Sequence, residues 1–159
     1  MREILFRGKR VDNGEWIKGF YIEANHHWHN KGVHKEWIVK NVIQNGGWCN
    51  VGSKYAVIPE TVGQYTGLTD ENGTKIFEGD ILKGFRYPFF REEDAAYNYF
   101  AEVVWFDNSP AFGLLTFKNP ESTVRGISHG NADYMEDFDS EMWEVIGNIH
   151  DNPELLGVE

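Results

Sequence analysis

The stretch from Val62 to Leu82 constrains the fold more than any other part of the chain. It reads Val-Gly-Gln-Tyr-Thr-Gly-Leu-Thr-Asp-Glu-Asn-Gly-Thr-Lys-Ile-Phe-Glu-Gly-Asp-Ile-Leu. Asp70-Glu71-Asn72-Gly73 has the residues of a type I turn, with Asp first and Gly fourth, and glycine accepts the left-handed backbone other residues avoid. Asn72-Gly73 alone also suits a type I′ hairpin, so the residues leave the turn type open. Under either type the chain reverses between Gln64-Tyr65-Thr66 and Lys75-Ile76-Phe77. Glu78-Gly79-Asp80 punctuates it again, and Ile81-Leu82 starts another apolar strand. Short apolar runs separated by such turns predict antiparallel strands.

The rest of the chain has the same rhythm. Ile4–Arg7 reads as a first strand and Asp12-Asn13-Gly14 as a hairpin turn. In Trp16–Ile22, Trp16, Lys18, Phe20 and Ile22 share one face, and Ile17, Gly19 and Tyr21 share the other. Both faces are largely apolar, which predicts a strand covered on two sides. Residues 24–35 have no clean period and read as a long loop or a loose hairpin tip. Glu36–Ile43 and Tyr55–Ile58 read as strands, with Trp48–Lys54 polar and irregular between them. Further strands are expected at Ile81–Phe85, Phe100–Phe106, Phe112–Phe117 and Trp143–Ile149. Within residues 88–99, Glu92 to Tyr99 fits either two helical turns or a loop with aromatic anchors. Asp151 or Asn152 can cap a last turn that has Pro153 at its first position.

The expected fold class is therefore mainly all-β: short twisted strands with an N-terminal β-hairpin region, one short C-terminal helical turn, and a C-terminal half with the rhythm of an SH3-like barrel. Residues 1–159 read as one domain, with a sub-division into 1–66 and 67–159. Aromatic residues make up 15% of the chain and Gly numbers 17, which fits strands and turns. Cys49 is the single cysteine, so the chain has no internal disulfide, and a reducing cytoplasm is the economical location. No apolar run approaches a signal peptide or a membrane-spanning helix.

Three segments together resemble the YopX-like family of phage and prophage proteins. They are Met1–Arg7 with Asn13-Gly-Glu-Trp16; Val57–Leu68 continuing through Asp70-Glu-Asn-Gly73 to Ile76–Ile81; and Trp143–Leu156. The resemblance spans the domain and implies a mostly β protein encoded in temperate phages. It implies no established activity, cofactor or catalytic residue, so no site residue is carried over from it.

Candidate chemistry has to come from the residues themselves. His26, His27, His29 and His34 are the candidate metal ligands, since neutral imidazole binds zinc and nickel, and His27 and His29 would share a strand face. No recognised ligand spacing accompanies them, and a polar loop rich in His is the stronger reading. Glu78 and Asp80 flank Gly79 as a carboxylate pair, which turn chemistry explains more simply than acid–base catalysis. The run Asp133, Glu136, Asp137, Asp139, Glu141 and Glu144 lacks the EF-hand pattern. No nucleophile triad, phosphate loop or dinucleotide fingerprint is present. No catalytic residue and no cofactor is expected.

Charge divides the chain. Residues 1–66 hold 9 Lys/Arg against 6 Asp/Glu, or +3, and residues 67–159 hold 6 against 19, or −13, for a net −10. The leading expectation is a non-enzymatic, cytoplasmic phage accessory protein whose acidic 67–159 half contacts a basic host or phage protein. Self-association is left open. Net acidity argues against nucleic acid. One alternative is a nucleic-acid-associated regulator using Arg2, Arg7, Lys9, Arg10 and Lys18 with Trp16, Phe20 and Tyr21, and another is a metal-binding protein through the His26–His34 loop.

Overall fold

The computed structural model describes residues 3–23, 36–40, 42–45, 48–84, 99–107, 110–118, 132–135 and 140–156. The fold is mostly β, as the turn-punctuated sequence requires. It divides into two compact units, Met1–Tyr65 and Thr66–Glu159.

In the first unit, β1 (Phe6–Lys9) pairs antiparallel with β2 (Trp16–Glu23), from Phe6 opposite Gly19 to Lys9 opposite Trp16. Gly14 closes the hairpin at φ +72°, and its N–H donates to the Arg10 carbonyl at 2.9 Å. The first strand begins two residues later than Ile4. β2 pairs with β3 (Glu36–Val39), and β3 in turn with β6 (Lys54–Ala56). Gly19 allows the β2–β3 approach, because a Cβ there would collide with the Val39 carbonyl oxygen. The single strand expected over Glu36–Ile43 is broken after Val39. The Lys40 N–H donates to the Ser53 carbonyl, and β4 (Val42–Asn45) pairs with β5 (Trp48–Val51) as a separate hairpin. Residues 48–54 are thus not irregular throughout; they supply β5 and the first residue of β6.

A 3-10 turn at Pro59–Thr61 pins β1. The Ile58 N–H donates to the Lys9 carbonyl at 2.8 Å, and the Lys9 N–H donates to Thr61 Oγ1 at 2.8 Å. The Thr61 hydroxyl in turn donates to the Ile58 carbonyl at 2.7 Å. The unit's core is Ile17, Ile38 and Val57, flanked by Phe6, Tyr55 and Val62. Strand β7 (Gly63–Thr69) starts beside β1, with Gly63 opposite Arg7, and gives the order β6-β3-β2-β1-β7. It runs on into the second unit.

There the chain reverses at Asp70–Gly73 into β8 (Lys75–Phe77). The Gly73 N–H donates to the Asp70 carbonyl at 3.0 Å, and Gly73 has φ +77°. Glu71 and Asn72 are therefore the central residues, with a left-handed glycine after them, so the reversal is not a type I′ turn centred on Asn72-Gly73. The main sheet follows as β9 (Asp80–Gly84), β10 (Tyr99–Phe106), β11 (Ala111–Lys118), β12 (Ala132–Tyr134) and β13 (Trp143–Asn148). All its pairs are antiparallel, in the order β12-β11-β10-β9-β13. Leu82 of β9, an interior strand, faces Ala101 on one neighbour and Val145 on the other. Leu82, Ala101 and Val103 pack with Ile76, Phe112, Leu114 and Met135 as the core. The sheet keeps two ends, at β12 and β13, with no closing ladder between them among the described residues. Pro153–Leu156 forms the expected last turn, of 3-10 type, closed by the Leu155 N–H donating to the Asn152 carbonyl at 3.0 Å.

Candidate functional site

The strand expected to be covered on both faces is covered on one. Along β2, Ile17 and Gly19 are buried, whereas Lys18, Phe20, Ile22 and Glu23 are exposed. Phe20 is 49% and Ile22 37% exposed. The residues alternate as expected, but aromatic and aliphatic residues at the outward positions do not reveal whether anything packs on them. Tyr21 belongs to the inner face and packs against Phe6 with ring centroids 5.5 Å apart.

Register assembles the rest of the outward face from distant parts of the chain, because residues directly opposite each other point the same way. Arg7 lies opposite Lys18, and Lys9 opposite Trp16. Phe20 lies opposite Val39, which lies opposite Lys54; Ile22 lies opposite Trp37. The face thus gathers Arg7, Lys9, Lys18 and Lys54 with Trp16, Phe20, Ile22 and Trp37; Arg7 and Val39 on it are buried, so its accessible part is Lys18, Phe20, Ile22 and Lys54, with Lys9, Trp16 and Trp37 half-buried. Its ladder positions on β1, β2, β3 and β6 carry no Asp or Glu. Cations lie over rings: Lys54 Nζ is 4.7 Å from the Trp37 centroid, Lys9 Nζ 5.5 Å and the Arg7 guanidinium 4.8 Å from Trp16. Such contacts place charge and aromatic surface together. On the opposite face Arg10 stacks on Tyr55 at 4.6 Å and is ion-paired with Asp12 and Glu15. Of the basic–aromatic set named from sequence, Arg7, Lys9, Lys18, Trp16 and Phe20 converge. Arg10 and Tyr21 go to the other side, and Arg2 lies outside the described residues. Lys54 and Trp37 were not anticipated, since only cross-strand pairing brings them in.

The second unit uses its carboxylates differently. Asp70 is 4% exposed and accepts backbone N–H groups from Asn72 (2.9 Å), Thr74 (2.7 Å) and Val145 (3.0 Å). Burial pushes its carboxyl up, but the bonds from Val145, Thr74 and Asn72 outweigh burial and hold it below the usual carboxylate range. Asp80, 1% exposed, accepts the Phe77 N–H at 2.7 Å through Oδ2. The turn role expected for Asp80 accounts for this bond. Glu78 faces a residue that the sequence did not single out. Glu102 on β10 is held above the usual range, first by burial and then by the negative charge of Glu78.

His26, His27, His29 and His34 lie outside the described residues, as do Glu136, Asp137 and Asp139. Among the described residues no group of three or more His, Cys, Asp or Glu is arranged to hold a metal ion. Among them, too, no helix is long and apolar enough to cross a membrane.

The family model described as YopX protein matches residues 5–157. A solved structure, the crystal structure of protein EF1440 from Enterococcus faecalis, is similar at 20% identity with a TM-score of 0.49. That likeness covers 98% of this chain and 99% of the other. No curated protein matches.

Proposed function

Because the chain belongs to the YopX family, we propose that it is a non-enzymatic binding module encoded by a phage or prophage. In this reading it works in the host cytoplasm and holds a host or phage macromolecule on the open sheet face of its first unit. The observation that carries the reading is the exposure of Phe20 and Ile22 on a face whose ladder positions hold Lys9, Lys18 and Lys54, a buried Arg7 and no carboxylate. An aromatic–cation surface of this kind suits recognition. The use of Asp70 and Asp80 as acceptors for backbone N–H groups adds support, since turn structure accounts for those bonds. The lone Cys49 fits a reducing compartment.

The test is affinity capture from host lysate with the full chain and with a Lys18→Glu, Lys54→Glu double variant. The expected result is a partner held at low salt, released at high salt and lost from the variant. Equal recovery by both proteins, or none by either, refutes the reading. A second reading has its own support. Glu71, Asp107, Glu141, Glu144, Asp151 and Glu154 of the second unit are exposed, which suits a basic protein partner. Its mark is a captured partner that the double variant still holds.

A further inference from the structure

We infer that the open face of the first unit binds single-stranded nucleic acid. The inference rests on the binding-module reading and gives its partner a chemical class. Single strands are held by two things at once, cations along a phosphate track and rings on which bases stack. This face offers both. Lys9, Lys18 and Lys54 are spread over three strands around Phe20, Trp16 and Trp37. Phe20 and Ile22 stand out from the sheet as the most accessible apolar contacts of that surface. Lys54 and Lys9 sit over Trp37 and Trp16, so each ring has a cation beside it.

Net acidity argued against nucleic acid, but the net figure is a sum over unlike halves, +3 for residues 1–66 and −13 for 67–159. At physiological salt only exposed charges within about 8 Å of a bound strand act on it strongly, and the ladder positions of this face carry no Asp or Glu. A duplex satisfies the cations and leaves the rings idle, because its bases are already stacked on one another. The acidic surface of a second copy of this chain would likewise engage the lysines without using Phe20. The single strand is the occupant that uses every element of the face.

The experiment is fluorescence anisotropy on the full chain at low salt, with labelled oligo(dT), oligo(U) and a duplex of equal length as probes. Both single strands are expected to bind more tightly than the duplex, and comparing the first two separates DNA from RNA. With about three or four phosphates contacted, log affinity against log salt should have a slope of roughly −2 to −3. Phe20→Ala should weaken single-strand binding about tenfold through lost stacking. Lys18→Glu with Lys54→Glu should abolish binding while the circular dichroism spectrum is unchanged. The inference is overturned if the folded protein leaves all probes unbound, if the variants bind as well as the parent, or if the duplex binds as tightly. A dimer in sedimentation that the double variant dissolves, without oligonucleotide binding, overturns it in favour of self-association. Failure here with variant-sensitive capture of a protein from nuclease-treated lysate leaves the binding module standing. Failure of both removes the module as well.

Discussion

The two units treat their charged residues in opposite ways. In the first, cations are set on an outward sheet face beside Trp16, Phe20 and Trp37. In the second, carboxylates are drawn inward: Asp70 ties the β7–β8 turn to β13, and Asp80 ties the next turn to β8. A buried carboxylate accepting several backbone N–H groups specifies one chain path at a cost if any bond is lost. An exposed lysine specifies almost nothing about the fold. The contrast suggests that the turn-rich 62–82 stretch is distinctive because of what it must hold together, while recognition is carried where the local sequence is less distinctive.

The largest expected effect sits at Asp70. Asp70→Ala leaves three backbone N–H groups without their acceptor and should destabilise the protein by about 3 kcal/mol in urea denaturation. Asp70→Asn keeps one acceptor oxygen and should cost less. The pH dependence separates charge from shape. Because the folded carboxyl lies below its usual range, its contribution is fully present above the ordinary carboxylate pKa and is lost as pH falls through the folded value. The gap between parent and Asp70→Asn should therefore narrow on acidification. A gap constant from pH 7 to pH 3 would show that the carboxylate's charge is irrelevant to the fold.

Thr61 is the closest counterpart in the first unit, a buried hydroxyl that bridges the Lys9 N–H and the Ile58 carbonyl. Thr61→Val preserves the shape and removes both bonds, so the expected loss is about 1–2 kcal/mol. A loss equal to that of Asp70→Ala would erase the distinction drawn between the units.

Much of this fold was legible locally. Asn13-Gly14 and Asp70–Gly73 state their reversals in the residues that make them, and Asn152-Pro153 states the last turn. The break after Val39 was not legible, because Lys40-Asn41 between Trp37-Ile38-Val39 and Val42-Ile43 does not by itself show that the two segments take different partners: β3 joins β2 and β6, while β4 joins β5. The candidate site was half legible. Lys9, Lys18, Trp16 and Phe20 lie within one hairpin and could be grouped by eye. Trp37 and Lys54 reach the same face through ladders that no short window contains. Nor can alternation distinguish a strand with one open face from one buried on both, when the open face is itself aromatic.

Glu102 probes the second unit from the other direction. Its folded carboxyl lies above the usual range, by burial and then by Glu78, so ionising it opposes folding. The sign follows: its stabilising contribution is present below the ordinary carboxylate pKa and is lost as pH rises through the raised folded value. Glu102→Gln should give a small rise in melting temperature at neutral pH that disappears near pH 4. A fall at neutral pH would mean that Glu102 is held by an attractive partner and that the second unit needs this charge as it needs Asp70.

The smallest expected effect on stability is also the sharpest test of the open face. Truncating a buried Phe costs about 3–5 kcal/mol. Phe20, half exposed on the outward side of β2, should lose less than about 0.5 kcal/mol on Phe20→Ala, the range of ordinary surface substitutions. A melting temperature unchanged within error would mean that the ring is kept out of the first unit's core and is available to a partner. A loss of several kcal/mol would place Phe20 in a packed environment, and a surface already covered by the protein itself can neither stack a base nor hold any other macromolecule.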